Sequence, residues 1–193
     1  MRPALAQRLR DETRAAHERV EAALDWENRV STRAGYADLL ARLHGFHAGF
    51  EAAAEELVEP EFLAPRRKAH LLRADLAALG WTPEAVEALP VRREDFADRA
   101  ALFGAMYVLE GAHLGGQIIA RHVAARLGLT PETGLAFYIG YGPRTGALWR
   151  AFQERLETES SGTSGDAVVA GAHRTFDGMR LWLVPEDALA EPA

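Results

Sequence analysis

The chain has 193 residues and a mass of 21.1 kDa, which is enough for one domain with a full hydrophobic core and too little for two of ordinary size. Its 22 Lys and Arg residues against 28 Asp and Glu residues give a net charge of −6, so no overall basic field exists to bind a nucleic acid. The absence of cysteine excludes disulfides, thiolate nucleophiles and Cys-based metal sites. Any metal would therefore bind His, Asp, Glu or Tyr.

The hydropathy pattern indicates neither a leader nor a membrane segment. The N-terminal residues MRPALAQRLRDETRAAHERV carry charges every few positions and lack the apolar run of a secretory signal. The most apolar segment, 100–129, is interrupted by Glu110, His113 and Arg121, so it lacks the run of about 20 apolar residues that crosses a bilayer. We therefore expect a cytoplasmic protein without a membrane span.

Apolar residues recur at spacings of three and four almost throughout, which predicts an all-α protein. The predicted helices of the first half span 4–24, 31–57, 62–79 and 82–89. Ser31 or Thr32 is the expected N-cap of the second helix, and Gly80 ends the third. In the fourth, Thr82 is the expected N-cap and Pro83 the first helical residue.

The predicted helices of the second half span 95 or 98 to 127, 144–158 and 166–183. Gly128 fits a C-cap of the long helix. Residues 133–143 form the only strand-like patch, which we interpret as a loop or helix end because it is rich in glycine. A polar loop, ESSGTSGD, joins the last two helices. We expect one domain over residues 1–193, with residues 1–4 and 185–193 frayed.

His17 lies at the seam between the apolar and charged faces of the first helix. Glu21 is one turn later, so its carboxylate can accept the Nδ1 proton of His17 and leave Nε2 as a metal ligand. Arg10 and Arg14 could bind anionic groups of the same ligand. The alternative is that these charges are ordinary solvated pairs on a helix surface.

The long helix contains glycines inside an apolar run, each of which costs about 0.5 to 1 kcal/mol relative to alanine. Gly104, Gly111 and Gly115 lie within about 40° of one another around the helix axis, and Gly116 follows. One face therefore exposes bare backbone over three turns. It suits either the close approach of a flat ligand or close packing against another helix.

The other histidines give weaker signals. Glu110 and His113 form one Glu-x-x-His spacing, but the di-iron pattern requires two and no second occurs. His44 and His47 form a His-x-x-His pair that could hold a metal, with histidines on the surface or partly buried as the alternative. His70, His122 and His173 are interpreted as surface or boundary residues.

Two segments together resemble the haem oxygenases. LRDETRAAHERVE, residues 9–21, is similar to that family's proximal segment, and YVLEGAHLGGQ, residues 107–117, is similar to its distal segment. GLAFYIGYGPRTGALWRAFQERL and HRTFDGMRLWL are similar to later helices of the fold, particularly in bacterial members linked to phytochrome biosynthesis. The resemblance extends over residues 5–184 and implies a single-domain helical bundle.

The resemblance also implies an activity, the oxidative opening of haem to biliverdin, carbon monoxide and ferrous iron. It implies O2 as oxidant, electrons from a separate reductase or ferredoxin, and a link to a biliverdin-using bacteriophytochrome. Haem would be both substrate and cofactor, with its iron on His17 and with Glu21 as the partner of that histidine. Arg10 and Arg14, with Arg150 and Arg144 on a later helix, are the implied propionate partners; Phe176 and Trp182 are expected to line or support the pocket.

On the distal side, Gly111, Gly115 and Gly116 match the family's glycines, while Ala112 departs from it. Many members carry an aspartate there that orders the water chain delivering a proton. His47 matches a position near the distal pocket that carries a tyrosine in well-known members, and we expect it to support that network. Three alternatives stay open: a haem-binding or carrier protein without turnover, a non-haem di-iron oxidase of the same fold, and a thiamine-type hydrolase.

Overall fold

The computed structural model describes residues 4–160 and 165–184, and every regular element in these ranges is helical. Numbered in chain order, the α-helices are α1 (Ala4–Leu24), α2 (Trp26–Arg29), α3 (Arg33–Ala54), α4 (Pro60–Leu63), α5 (Ala69–Ala78), α6 (Pro83–Glu87), α7 (Arg99–Leu127), α8 (Ala136–Ile139), α9 (Thr145–Ser160) and α10 (Gly165–Leu183). Short 3-10 turns lie at Ala64–Arg66, Pro131–Thr133 and Gly142–Arg144. The predicted all-α fold class is confirmed.

Several helix ends lie where local signals predict them. The Thr32 hydroxyl accepts a hydrogen bond from the Gly35 amide at the start of α3, and the Thr82 hydroxyl accepts one from the Ala85 amide at the start of α6. The helix α7 ends before Gly128, whose φ of +66° belongs to the left-handed region. Each signal acts within one turn of the residue that carries it, so it can be recognised without the tertiary structure.

The prediction of one helix over residues 62–79 is wrong. The chain forms α4 and a 3-10 turn, becomes extended at Arg67 with φ −63° and ψ 138°, and begins α5 at Ala69. Oε1 of Glu51, on α3, accepts hydrogen bonds from the amides of Lys68 at 2.5 Å and Ala69 at 2.8 Å. The break is stabilised by a distant carboxylate that satisfies the first amides of a new helix.

Other differences concern short elements. Residues 133–143, expected as a loop or helix end, include α8 and parts of two 3-10 turns. The single turn α2 was not predicted; it follows Asp25, which has a left-handed φ of 41°. Both ends of the predicted polar loop are helical, because α9 reaches Ser160 and α10 begins at Gly165. Ala4 is helical rather than frayed, while residues 1–3 and 185–193 lie outside the described residues.

The chain divides into two compact units. The first comprises residues 1–24, 95–114 and 143–193. Within it α1 packs against α10 and α9, and its core includes Leu9, Phe103 and Phe152, which are fully buried. The amides of Leu5 and Ala6 donate to Oε1 of Glu157 at 2.7 and 3.3 Å, which satisfies the N-terminus of α1 from a neighbouring helix.

The second unit comprises residues 25–94 and 115–142. Within it α3 packs on α5, and α5 on α8. The hydroxyl of the buried Tyr36 donates a hydrogen bond of 2.8 Å to the carbonyl oxygen of Gly134, and the Tyr36 ring stacks on that of Tyr138. The prediction of one domain over residues 1–193 stays a prediction. Within residues 4–160 and 165–184, none of the helices combines the length and apolar content that a bilayer crossing requires.

Candidate active site

The imidazole of His17 is held on one side by Glu21. Nδ1 of His17 lies 3.4 Å from Oε2 of Glu21, one turn along α1, and both side chains are more than half exposed. Ala16 and Val20, beside them on the same helix, are buried, so His17 lies at the edge of the first unit's core. A carboxylate near Nδ1 favours the tautomer with its proton there, and in that tautomer Nε2 carries a lone pair that can bind a metal.

Phe176 fixes the plane of that imidazole. The two rings meet edge to face, with centroids 5.7 Å apart and planes at 84°. Phe176 lies on α10 and is buried, and α10 packs along α1. Arg19 and Asp177 add a longer contact of 3.9 Å between the same helices. The predicted pair, His17 and Phe176, is therefore brought together by the α1–α10 interface.

Three predicted anion-binding arginines are available to a ligand. Arg10 and Arg14 lie on α1 and Arg150 on α9; all three are exposed, and none forms an ion pair with another residue of the described ranges. Arg8, by contrast, contacts Glu12 and Asp166 at 2.6 Å each. Arg144 is also exposed. A guanidinium without a carboxylate partner can form bidentate hydrogen bonds to a carboxylate-bearing ligand.

The glycines of α7 separate into two groups. A Cβ on Gly104 would overlap the backbone of Val168 and Ala172 on α10, so Gly104 serves close helix packing. A Cβ on Gly111 would meet only the ring of Trp149 at 3.7 Å, one on Gly116 would meet Tyr138 at 3.5 Å, and one on Gly115 would meet no described atom within 4 Å. Packing of the described chain therefore does not require these three to be glycine.

Trp149 was not among the residues that the sequence predicted for the site. It lies on α9 beside Arg150, with its ring over Gly111 and its centroid 5.6 Å from that of Tyr107 on α7. The sequence signal that could have identified Trp149 is its position next to Arg150, a predicted anion-binding residue. A tryptophan in a helix is, however, usually a core residue. Trp182, predicted to line or support a pocket, is half-buried on the last turn of α10.

In the second unit, His47 is buried among aromatic rings. Its centroid lies 5.3 Å from that of Phe137 and 6.5 Å from that of Phe46, in both cases edge to face. His44, one turn earlier, is also buried, and its Nδ1 has no hydrogen-bond partner in the described chain. Burial, with a smaller effect of the nearby positive Arg73, lowers the pKa of His44 below its ordinary value.

The remaining histidine patterns do not gather further ligands. Glu110 and His113 are both buried on α7. Across residues 4–160 and 165–184, no three His, Asp or Glu side chains come together in a way that could hold a metal ion. Ala112, at the position of the family's aspartate, is exposed. A single imidazole such as that of His17 can still ligate a metal that carries its other ligands with it, as in a porphyrin.

Sequence comparison gives two matches over most of the chain. The family model described as Heme oxygenase matches residues 3–183. A bacterial protein named Heme oxygenase, from Xanthomonas campestris pv. campestris (strain 8004), is 35% identical over 160 residues, which cover 78% of this chain and 90% of the relative.

Three solved structures share the fold. Heme oxygenase 2 from Chlamydomonas reinhardtii, solved without haem, aligns with a TM-score of 0.76 at 16% identity, covering 94% of this chain and 99% of that one. Heme oxygenase from Leptospira interrogans aligns at 0.75 and 19% identity with the same coverage. The NO- and CO-bound enzyme from Neisseria meningitidis aligns at 0.75 and 20% identity, covering 98% and 94%. At these identities the likeness establishes the fold alone.

Proposed function

Because this chain belongs to the haem oxygenase family, we propose that it opens the haem ring oxidatively to biliverdin, carbon monoxide and ferrous iron, with His17 as the iron ligand. Bound haem supplies the iron that activates O2 and the ring carbon that is oxidised. The protein's own residues bind the porphyrin, orient it, limit the space above it and control proton delivery. The observation that carries the assignment of His17 is its exposed imidazole, whose Nδ1 lies 3.4 Å from Oε2 of Glu21.

The residues of the first unit fit a haem. A neutral imidazole is an iron ligand in many haem proteins, and the contact with Glu21 favours the tautomer that this requires. Phe176 restricts rotation of the ring. The side chain of His17 is 53% exposed, so Nε2 can reach a bound ligand without a rearrangement of the core. The absence of cysteine excludes thioether attachment of haem, which suits a substrate that is consumed.

Arg10, Arg14 and Arg150 are proposed to bind the two propionates, with Arg144 as a further candidate. The two on α1 lie one and two turns before His17 on the charged side of the helix. A charge-assisted pair with a carboxylate would orient the porphyrin in its plane as well as strengthen binding. Their lack of ion pairs with described residues supports this role, since no existing contact would have to break.

Gly111, Gly115 and Gly116 are proposed to limit the space that a porphyrin would have beside α7. Gly115 has open space where a Cβ would be, and the Cβ positions of Gly111 and Gly116 have only ordinary contacts. Bare helix backbone lets a flat ring approach more closely than any side chain would. Close approach on one side of the iron would favour attack on one ring carbon over the others.

His47 is proposed to support proton delivery in place of the aspartate replaced by Ala112. Its buried imidazole can both donate and accept a hydrogen bond, and therefore can hold an ordered water.

We further propose a cytoplasmic location, a reductase or ferredoxin as electron donor, and a biliverdin-using bacteriophytochrome as the recipient of the product. The bacteriophytochrome partner rests on the resemblance to phytochrome-linked members alone.

The test is addition of haemin to the purified protein, followed by a reductant and O2. We expect a Soret band on binding, and then its loss as a biliverdin band rises. A stable Soret band under turnover conditions would instead indicate a haem carrier, and the absence of a Soret band would exclude both. His17→Ala should abolish or shift the ferric spectrum, whereas His70→Ala, at an exposed histidine of α5, should leave it unchanged.

A further inference from the structure

Asp75 is a buried carboxylate that the proposed haem chemistry does not use. It lies on α5 and is 1% exposed. Its Oδ1 accepts a hydrogen bond from the amide of Ala136 and its Oδ2 one from the amide of Phe137, both at 2.8 Å. Burial raises its pKa above the ordinary value, and the two amide hydrogen bonds oppose that rise. Burying a charge is unfavourable unless the charge is hydrogen-bonded, and the two amides supply the hydrogen bonds that offset the burial of Asp75.

The two amides belong to the first turn of α8, a helix of only four residues. A helix this short has no stability of its own, and its N-cap residue, Leu135, makes no side-chain cap. Asp75 therefore supplies the cap from 61 positions earlier in the chain. Both carboxylate oxygens are occupied, so an amide side chain could accept only one of the two hydrogen bonds.

Three consecutive residues of α8 contact residues of the proposed site. The Phe137 ring packs edge to face on His47. The carbonyl oxygen of Tyr138 lies 3.5 Å from the Cβ position of Gly116, and the carbonyl of Ile139 accepts a hydrogen bond of 3.4 Å from the Gln117 side chain. All of these residues lie in the second unit. The position of this one turn is therefore coupled to His47 and to the distal end of the glycine segment.

We propose that Asp75 is a positioning residue for haem cleavage: its carboxylate fixes α8, and α8 in turn fixes the His47 imidazole and the backbone at Gly116 and Gln117. The inference rests on the proposed function, since His47 and Gly116 matter to catalysis only if haem is the substrate. Asp75 itself contacts neither residue in this arrangement and acts through Phe137 and Tyr138.

The chain offers a matched control in Glu51. It is a buried carboxylate of the same unit, on a helix, and it also accepts from the first amides of another helix, those of Lys68 and Ala69. Glu51→Gln and Asp75→Asn each replace a buried carboxylate by an amide, but only Asp75→Asn removes an amide acceptor, because Oε1 of Glu51 alone accepts from both Lys68 and Ala69. Only Asp75 caps the turn that contacts His47 and Gly116. If the effect came from the loss of a buried charge and not from the lost cap, the two variants would have the same phenotype.

The first measurement uses haem-free protein. In Asp75→Asn, amide hydrogen exchange at Ala136 and Phe137 should be at least about tenfold faster, and the NMR signals of His47 and Gln117 should shift. Glu51→Gln keeps an oxygen that can accept from both Lys68 and Ala69, so it should leave exchange at Ala136 and Phe137 and the His47 and Gln117 signals unchanged. Unchanged His47 and Gln117 signals in Asp75→Asn would overturn the coupling whatever haem does.

The second measurement separates binding from turnover. Asp75→Asn should lower kcat for haem cleavage about tenfold or more relative to Glu51→Gln, with haem affinity by Soret titration within about twofold of wild type, because His17 is untouched. Equal kcat in the two variants would overturn the positioning role alone. A wild-type protein that binds haem but never cleaves it would overturn the proposed function. If Asp75→Asn does not fold, Asp75→Glu, which keeps both oxygens, replaces it in both measurements. Asp75→Glu should fold and retain part of the wild-type kcat. A full kcat together with shifted His47 signals would overturn the positioning role of Asp75.

Discussion

Nδ1 of His17 lies 3.4 Å from Oε2 of Glu21, one helical turn away on α1. This contact orients the imidazole and favours one tautomer, and it depends on two residues of one helix. Because both side chains are more than half exposed, water competes for the contact. The effect of the His17–Glu21 contact on haem affinity should therefore be moderate.

Glu21→Gln should weaken haem binding by roughly tenfold, the lower end of what loss of an outer-shell carboxylate usually costs. Soret titration of the ferric protein measures the haem affinity. The reduction potential of the iron should also rise, because the imidazole becomes less electron-donating. Glu18→Gln changes a neighbouring exposed carboxylate of α1 and should alter neither quantity. Equal effects from the two variants would show that general charge, and not the Glu21 contact, is responsible.

Gly115→Ala should make the haem-free protein more stable and the haem complex weaker. Alanine is favoured over glycine inside a helix by about 0.5 to 1 kcal/mol, and nothing described lies within 4 Å of the new Cβ. Gly104→Ala should destabilise the fold, by about 1 to 3 kcal/mol, because its Cβ would overlap the α10 backbone.

Urea unfolding without haem, paired with Soret titration, distinguishes the two glycines. If Gly115→Ala bound haem as tightly as wild type and turned it over at the same rate, the proposed approach of the porphyrin to this backbone would be wrong.

His47→Ala should lower product yield or destabilise the oxygenated complex while haem still binds. The variant also removes a buried ring that packs on Phe137, so some loss of stability is expected from the cavity. His44→Leu, one turn earlier in the same helix and also buried, controls for changes in the core. Turnover by His47→Ala equal to that of wild type would remove His47 from the proton network.

His44 should make the fold sensitive to mild acid. Its pKa is lowered in the folded protein by burial, so below about pH 6.5, the ordinary histidine value, the unfolded chain binds a proton that the folded chain does not. The free energy of unfolding therefore falls as pH decreases from about 6.5 towards the folded pKa, by up to about 1.4 kcal/mol per pH unit.

Urea unfolding of haem-free protein between pH 7 and pH 5 measures this slope. His44→Leu and His44→Gln should both reduce it, although they differ in polarity, because neither side chain titrates. A slope that both variants leave unchanged would place the sensitivity at another group.

The sequence alone determined the features that depend on neighbours within a turn or two. The apolar spacing predicted the long helices, and Thr32, Thr82 and Gly128 marked their ends. The spacing of His17 and Glu21, with the glycine segment of α7, was enough to indicate the family. These signals are local because helix geometry places residues three and four apart on one face whatever surrounds the helix.

Tertiary contacts decided what local spacing left open. Gly104 and Gly115 share a face of α7, but only Gly104 meets another backbone. The break before α5 depends on Glu51 and the turn α8 on Asp75, whose amide partners lie 17 and 61 positions away. The physical reason is common to these cases: whether a Cβ has space, or whether an amide has an acceptor, depends on the side chains that distant segments bring to it.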